Sequence, residues 1–282
     1  MGGHRAAPAP RAERPKSTPV SRPGPVTAVI VHFRGGEHVD RCVASCLASD
    51  LVADVVVVDN EGVGDELRAR LTDPRVTVVD MPTNVGFGTA ANVGTARART
   101  PAVLVLNQDV VLPPETLAAM LAVGAVAGAW IVAPRLHDAG GVEASRKTSF
   151  APPLRWAPPA VNGDGWRSAP YVAGAVMLLM PGHTDLRFDE RFFMYGEDED
   201  ICFRVWEAGG RVVALEDAWA LHVGATASAL VWSDRRTEYR ILVARARFVR
   251  KHAGWWGAAR WASGVGREIV RGKLPAPRPK GS

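Results

Sequence analysis

The chain has 282 residues, is 47% hydrophobic, and carries a formal net charge of +5 at pH 7. That is ample for the core of one catalytic domain with appendages. Its three cysteines, Cys42, Cys46 and Cys202, form neither a disulfide framework nor a Cys/His zinc cluster, which fits a reducing, cytoplasmic setting. Residues 1–25 are rich in Pro, Ala and Arg and lack the apolar core of a signal peptide, so a disordered basic tail is expected. Val26 to Phe33 (VTAVIVHF) reads as a strand, followed by a turn at Gly35-Gly36 and a helix from about His38 to Ser49, with Cys42 and Cys46 on one face. Asp54 to Val58 is a second buried strand ending in Asp59-Asn60. Val76 to Asp80 is a third, leading into Asn84-Val85-Gly86-Phe87-Gly88-Thr89-Ala90-Ala91-Asn92 and then an Ala-rich helix. Ala102 to Leu106 is a further buried strand. It ends in Asn107-Gln108-Asp109, and Pro113-Pro114 opens a helix. A strand is expected at Ala129 to Ala133.

Strands alternating with helices imply a mainly parallel sheet, and right-handed crossovers place the strand ends on one edge. Polar residues at three of those ends mark a ligand cleft outside the sheet. Further on, Glu197, Asp198, Glu199 and Asp200 follow the aromatic run Phe192, Phe193, Met194, Tyr195. Acids favour a helix N-terminus, so a helix starts near Glu197 and stops at Gly209-Gly210. An apolar wall beside a carboxylate also suits a general base. Asp200 and Arg204 stand at i, i+4 as a helix ion pair.

Residues 1–25 and 267–282 each carry five Lys/Arg and one Glu, so these tails hold +8 and the rest of the chain about −3. The basicity suits an anionic surface or phosphate, and no nucleic-acid partner is expected. No segment is apolar enough to span a membrane. Glu238 to His252 is expected to be an Arg-rich helix, followed by Trp255, Trp256 and Trp261. Two readings stand for it: an interfacial membrane anchor, or packing of the Trp residues onto the catalytic domain.

In chain order, VIVHF, VVVVDN, NVGFGTAANVG, VLNQDV, GAVMLL, FDERFFMYGEDEDICFRVWEAGGRV and ALHVGATAS resemble the landmarks of family 2 inverting glycosyltransferases, nearest the bacterial rhamnosyltransferase-like branch. The resemblance implies an α/β GT-A fold: a Rossmann-like mixed, mainly parallel sheet flanked by helices, over residues 26–228. A C-terminal helical segment (229–266) and a basic tail (267–282) would follow. It implies metal-dependent transfer from a dTDP- or UDP-sugar, dTDP-L-rhamnose foremost, to a glycan, polyprenyl-linked or small-molecule acceptor. On this resemblance Asp59 would accept from the ring N–H of the base, with Asn60 beside it, and His32, Phe33 and Arg34 would line the base pocket. Asn84, Gly86, Phe87, Gly88 and Asn92 would let backbone approach the ribose and diphosphate. Asn107, Gln108 and Asp109 occupy the family's Asp-x-Asp position. Asp109 and His222 would hold Mn²⁺ or Mg²⁺, the imidazole favouring Mn²⁺. Gly174 and Ala175 would lie along the donor sugar, with Tyr171 and Arg146 on the acceptor side. Asp198 would be the catalytic base, and Glu197 would orient the acceptor.

Two other classes are open on sequence. A nucleotidyltransferase would need a Gly-rich, basic loop after the first strand, and Arg34-Gly35-Gly36 is a poor version of one. A catalytically inactive sugar-nucleotide or membrane-binding protein would not need both Asp109 and Asp198. A peripheral contact at the inner face of the plasma membrane goes with the anchor reading.

Overall fold

The computed structural model describes residues 24–143, 150, 158–223 and 234–270. The expected disordered tail up to residue 23, Arg146, residues 224–228 and the basic tail from 271 lie outside them. Along the chain run β1 (Val26–His32), α1 (His38–Leu47), β2 (Val52–Asp59), α2 (Gly64–Arg70), β3 (Val76–Asp80) and α3 (Phe87–Thr95). Then come β4 (Ala102–Asn107), β5 (Val110–Val111), α4 (Pro114–Ala127), β6 (Ile131–His137), β7 (Asn162–Gly163) and β8 (Trp166–Ser168). β9 (Val176–Leu179), α5 (Glu197–Glu207), β10 (Val212–His222) and α6 (Asp234–Val270) complete the chain.

All seven residues of β1 are buried, as expected of a central strand covered on both faces. The sheet order is β3-β2-β1-β4-β9-β6-β10-β8-β7, with β5 pairing β10 off that path. β1 to β4 are parallel to one another, and β6 is parallel to β10. β9 runs antiparallel between β4 and β6, and the β7–β8 hairpin adds antiparallel strands at one border. The register sets His32 beside Asp59, Asp59 beside Asp80, and Val31 beside Asn107. The four polar strand ends therefore share one edge.

Helices cover both faces. α1 buries Val39, Cys42, Val43 and Cys46 at i, i+3, i+4 and i+7, joining Leu117 and Met120 of α4 in one core. Ala90 and Ala91 of α3 and Ile201, Cys202 and Val205 of α5 fill the other. A third cluster joins Phe150, Phe192 and Phe203 to Phe248 and Val249 of α6.

β2 starts at Val52 and not Asp54, the C-terminal helix starts at Asp234 and not Glu238, and two further elements begin elsewhere than the sequence suggests. α3 starts at Phe87, inside the Gly-containing motif, because Gly86 takes φ +86° and turns the chain into the helix. Phe193 O then accepts from Phe87 N at 3.1 Å. β6 starts two residues later than expected and runs to His137, extended by its pairing with β10. Among the described residues no helix is long and apolar enough to cross a membrane.

Candidate active site

The edge is built first by amide side chains. Gln108 donates from Nε2 to Phe33 O (2.6 Å) and accepts from Phe33 N at Oε1 (2.7 Å), so it pairs like a peptide group with the end of β1. Asn60 donates to Gly86 O (3.1 Å) and accepts from Val85 N (3.2 Å). Asn92 donates to Phe188 O (2.9 Å) and accepts from Phe188 N (2.8 Å), tying α3 to the segment before α5. Asn84 Oδ1 accepts from Gly86 N (2.9 Å), closing the local turn. Asn60, Asn92 and Gln108 are each less than one-tenth exposed. Each of these amides, expected along the nucleotide-sugar, is engaged with backbone.

Asp59 is likewise engaged with backbone. It is fully buried, and its oxygens accept from Glu61 N (2.9 Å) and Gly62 N (3.1 Å). Its carboxylate shapes the turn after β2 instead of facing the open pocket. That pocket is lined by His32, Arg34, Gly36, Glu61, Val63, Glu66 and Arg70 and measures about 480 Å³. Glu61 Oε2 accepts from Arg34 N (2.7 Å) and lies 3.4 Å from His32 Nε2. Burial holds the His32 imidazole below its ordinary pKa, against the pull of Asp59 and Glu61. Sequence reasoning missed Glu61, which follows the strand-end pair Asp59-Asn60. Phe33 sits under the Arg34 guanidinium, 5.5 Å from ring centroid to Cζ. Phe87 is buried edge-on to Phe188, so it belongs to the core, and Gly88 packs against the Phe188 and Glu197 Cβ atoms.

The second group gathers where β4 ends. β5 pairs with the end of β10, setting His222 opposite Val110, and Val223 N donates to Asp109 O (3.0 Å). His222 Nε2 lies 3.3 Å from Asp109 Oδ1 and 3.4 Å from Asn107 Nδ2. Two ligands about 2.1 Å from one octahedral ion would stand roughly 3 Å apart, so the spacing of the Asp109–His222 pair fits two ligands of one divalent cation. Among the described residues no group of three or more His, Cys, Asp or Glu offers an all-protein metal cage.

The four acids of α5 point to different tasks. The Asp198 carboxylate accepts from Glu199 N at Oδ1 (2.8 Å) and from Gly174 N at Oδ2 (3.2 Å). The next residue, Ala175, accepts at its carbonyl from Asn107 N (2.9 Å). Two consecutive residues thus link the Asp198 carboxylate to the residue beside Asp109 and His222. A Cβ on Gly174 would stand 3.4 Å from both Asp198 Cβ and Phe87 Cε1, so the close approach leaves little room. Asp198 also lines a cavity of about 120 Å³ with Arg135, Glu143, Arg167 and Tyr171, and Asp109 is not part of that lining. The three residues other than Tyr171 carry no signal in the sequence. They come from β6, the bridge after it, and β8, and Arg135 pairs with Glu143. Burial, then Glu199 and Asp198, push the Tyr171 phenol well above its ordinary pKa.

Glu197 is 7% exposed, and its Oε2 is buried with no hydrogen-bond partner. It does not line the Asp198 cavity. Burial, with the nearby Asp198 charge second, pushes its pKa up to about 8. A carboxyl whose folded pKa lies above its unfolded one contributes stability below the unfolded value, and that contribution declines as pH rises toward the folded value. Glu197→Gln is therefore expected to melt higher than wild type at pH 8. The advantage shrinks toward pH 5, and melting curves across this range check it.

Asp200 is wholly buried. It meets Arg204 Nε (2.9 Å), Lys251 Nζ (2.5 Å) and His252 Nε2 (2.8 Å). The Arg204 pair was expected from spacing; Lys251 and His252 arrive from α6. The aromatic run before the acids supports other elements: Phe192 joins the α6 cluster, and Phe193 O receives the first helical N–H of α3.

A mainly parallel sheet with one reversed central strand, an Asn-x-Asp sequence where β4 ends and an acidic helix tied to the segment before β9 define a GT-A glycosyltransferase fold. The chain belongs to glycosyl transferase family 2, whose model matches residues 27–169. It is 27% identical over 273 residues to the N-acetylglucosaminyl-diphospho-decaprenol L-rhamnosyltransferase of Mycobacterium tuberculosis, covering 83% of this chain and 87% of that protein. It is 32% identical over 114 residues to the succinoglycan biosynthesis protein ExoO of Rhizobium meliloti, covering 39% of this chain and 33% of that one. Among solved structures, GalNAc-T7 with UDP, GalNAc and Mn²⁺ superposes with a TM-score of 0.60 at 17% identity, over 82% of this chain. This chain spans about half of that structure, 49%. S. aureus TarS 1-349 in complex with UDP-GlcNAc gives a TM-score of 0.55 at 15% identity, over 80% of this chain and 66% of that one.

Proposed function

We propose that the protein is a metal-dependent inverting glycosyltransferase. It moves a sugar, L-rhamnose foremost, from a dTDP- or UDP-linked donor to a hydroxyl of a glycan-bearing acceptor. The observation that carries this is the meeting of two chemistries at one sheet edge. The Asp109–His222 pair lies where β4 and β10 end, and the Asp198 carboxylate is tied through Gly174 and Ala175 to Asn107, the last residue of β4.

In this reading the nucleoside base enters the open pocket at His32 and Arg34, where Glu61 offers a carboxylate acceptor to a ring N–H. Asp109 and His222 hold the divalent ion, which when bound neutralises charge on the departing diphosphate. Asp198 takes the proton from the acceptor hydroxyl. Inversion asks for a carboxylate on the face of the sugar opposite the leaving group, and the Asp198 cavity supplies a place for the acceptor. Arg135, Arg167 and Tyr171 bound that place. The L-rhamnosyl choice rests on the mycobacterial relative, whose name also specifies a diphospho-decaprenol acceptor.

The loop after β1 does not favour nucleotidyl transfer. A Cβ on Gly35 would lie 2.3 Å from the Gln108 amide carbon, so Gln108 fills the space a phosphate would need. The reading is tested by thermal shift with a panel of nucleotides and nucleotide-sugars, each with and without Mn²⁺. Stabilisation by dTDP- or UDP-sugars only with the metal is expected. A response to ATP or CTP with pyrophosphate release would overturn it.

A further inference from the structure

α6 is a single run broken at Gly254, where φ +67° and ψ −171° interrupt the helix. Before the break, Ala244, Phe248 and Val249 are buried against the body of the protein. After it, Trp261 packs on the same aromatic cluster. Trp255 and Trp256 go the other way and are 71% and 86% exposed. The Arg250 guanidinium lies over the Trp255 ring at 4.2 Å, and exposed Arg260 stands one turn beyond Trp256. Two adjacent indoles held in water lose a large apolar contribution, which ordinary folding would recover by turning them inward. Charge follows the same division. Residues 234–282 carry thirteen Lys/Arg and three Asp/Glu, a formal +10, while residues 1–233 total −5.

We propose that the outer face of α6 docks on an anionic membrane surface. Trp255 and Trp256 enter the interfacial layer, and Arg250 and Arg260 meet lipid phosphates. The helix lies on the bilayer, since no helix of the described residues is long and apolar enough to cross it. A second copy of the chain is the poorer occupant. A two-fold interface would set the same patch on both sides and bring two +10 segments together. The docking face is also firmly attached. His252, three residues before Trp255, and Lys251 both hold Asp200, two residues after Asp198. The part of α6 just before the break is thus fixed to the helix that carries Asp198, and Trp261 beyond the break packs on the same aromatic cluster. The inference stands apart from the choice of donor sugar.

The test is co-sedimentation of the full chain with phosphatidylcholine vesicles, with and without an equal share of phosphatidylglycerol. Wild type is expected to sediment with the anionic vesicles, less so in high salt, and poorly with phosphatidylcholine alone. The Trp255→Ala/Trp256→Ala double variant is expected to keep its melting temperature and to lose about tenfold in vesicle partitioning. Three results overturn the proposal: wild type that ignores anionic vesicles, a double variant that binds as wild type does, or a wild-type dimer that the double substitution makes monomeric.

Discussion

Asp198→Asn is expected to lower sugar transfer by about 10²–10⁴-fold while nucleotide binding persists. The carboxylate sits in the first turn of α5, half-buried, with one oxygen on the Glu199 N–H and the other on the Gly174 N–H. Those donors keep it in its cavity, where the proposed reading has it take a proton from the acceptor hydroxyl. The amide retains the shape and one acceptor oxygen, but its uncharged carbonyl takes a proton poorly. Its N–H₂ also faces the Gly174 donor or the Glu199 donor, so a melting curve must accompany the assay. Donor contacts lie with other residues, and nucleotide affinity is expected to stay within a few-fold of wild type. Turnover near the wild-type rate would remove Asp198 from the reaction.

Asp200→Ala is expected to cost about 3 kcal/mol of stability, because it removes a wholly buried carboxylate from the partly buried Arg204 and Lys251 cations and from His252. Asp200 is the meeting point of Arg204, Lys251 and His252, and Lys251 also reaches Asp189 at 2.7 Å. Burial raises the Asp200 pKa, but hydrogen bonds from His252, Lys251 and Arg204 outweigh it, so the net shift is downward. A depressed carboxyl contributes stability above its unfolded pKa and loses it as pH falls through the folded value. The wild-type advantage over the alanine variant should therefore narrow in acid. Chemical denaturation at pH 7 and near pH 3 measures both points. An Asp200→Ala protein as stable as wild type at pH 7 would show that α6 is held by its apolar cluster alone.

The strands with continuous apolar runs were legible because burial on both faces leaves a plain signature. β1 to β4 lie where the runs of Val, Ile and Leu put them, and the start of α5 at Glu197 follows from acids at a positive dipole end. The gathering of polar strand ends on one edge followed from parallel connectivity, and the register confirms it. What the residues did not reveal was which polar side chains the fold engages with its own backbone. An amide offers a donor and an acceptor just as a peptide group does. Asn60, Asn92 and Gln108 use that likeness to extend the backbone network between segments 25 to 96 residues apart in sequence. Asp59 does the same for its own turn. From composition and order alone, such a residue looks identical to one awaiting a nucleotide. Glu61, Arg135 and Arg167 escaped notice for the opposite reason: each is an ordinary charged residue, and only the fold brings it to a cavity. For α6, packing and exposure both occur. Trp261 turns inward while Trp255 and Trp256 face solvent, a split that depends on the break at Gly254.

The division of labour between the two carboxylates is open to one direct measurement. UDP and dTDP are titrated calorimetrically into wild type, Asp109→Asn and Asp198→Asn, each with and without Mn²⁺. Wild type and Asp198→Asn should bind the diphosphate tightly only with the metal, and Asp109→Asn should lose most of that gain. Metal-independent binding in wild type, or binding lost in Asp198→Asn and kept in Asp109→Asn, would contradict the assignment.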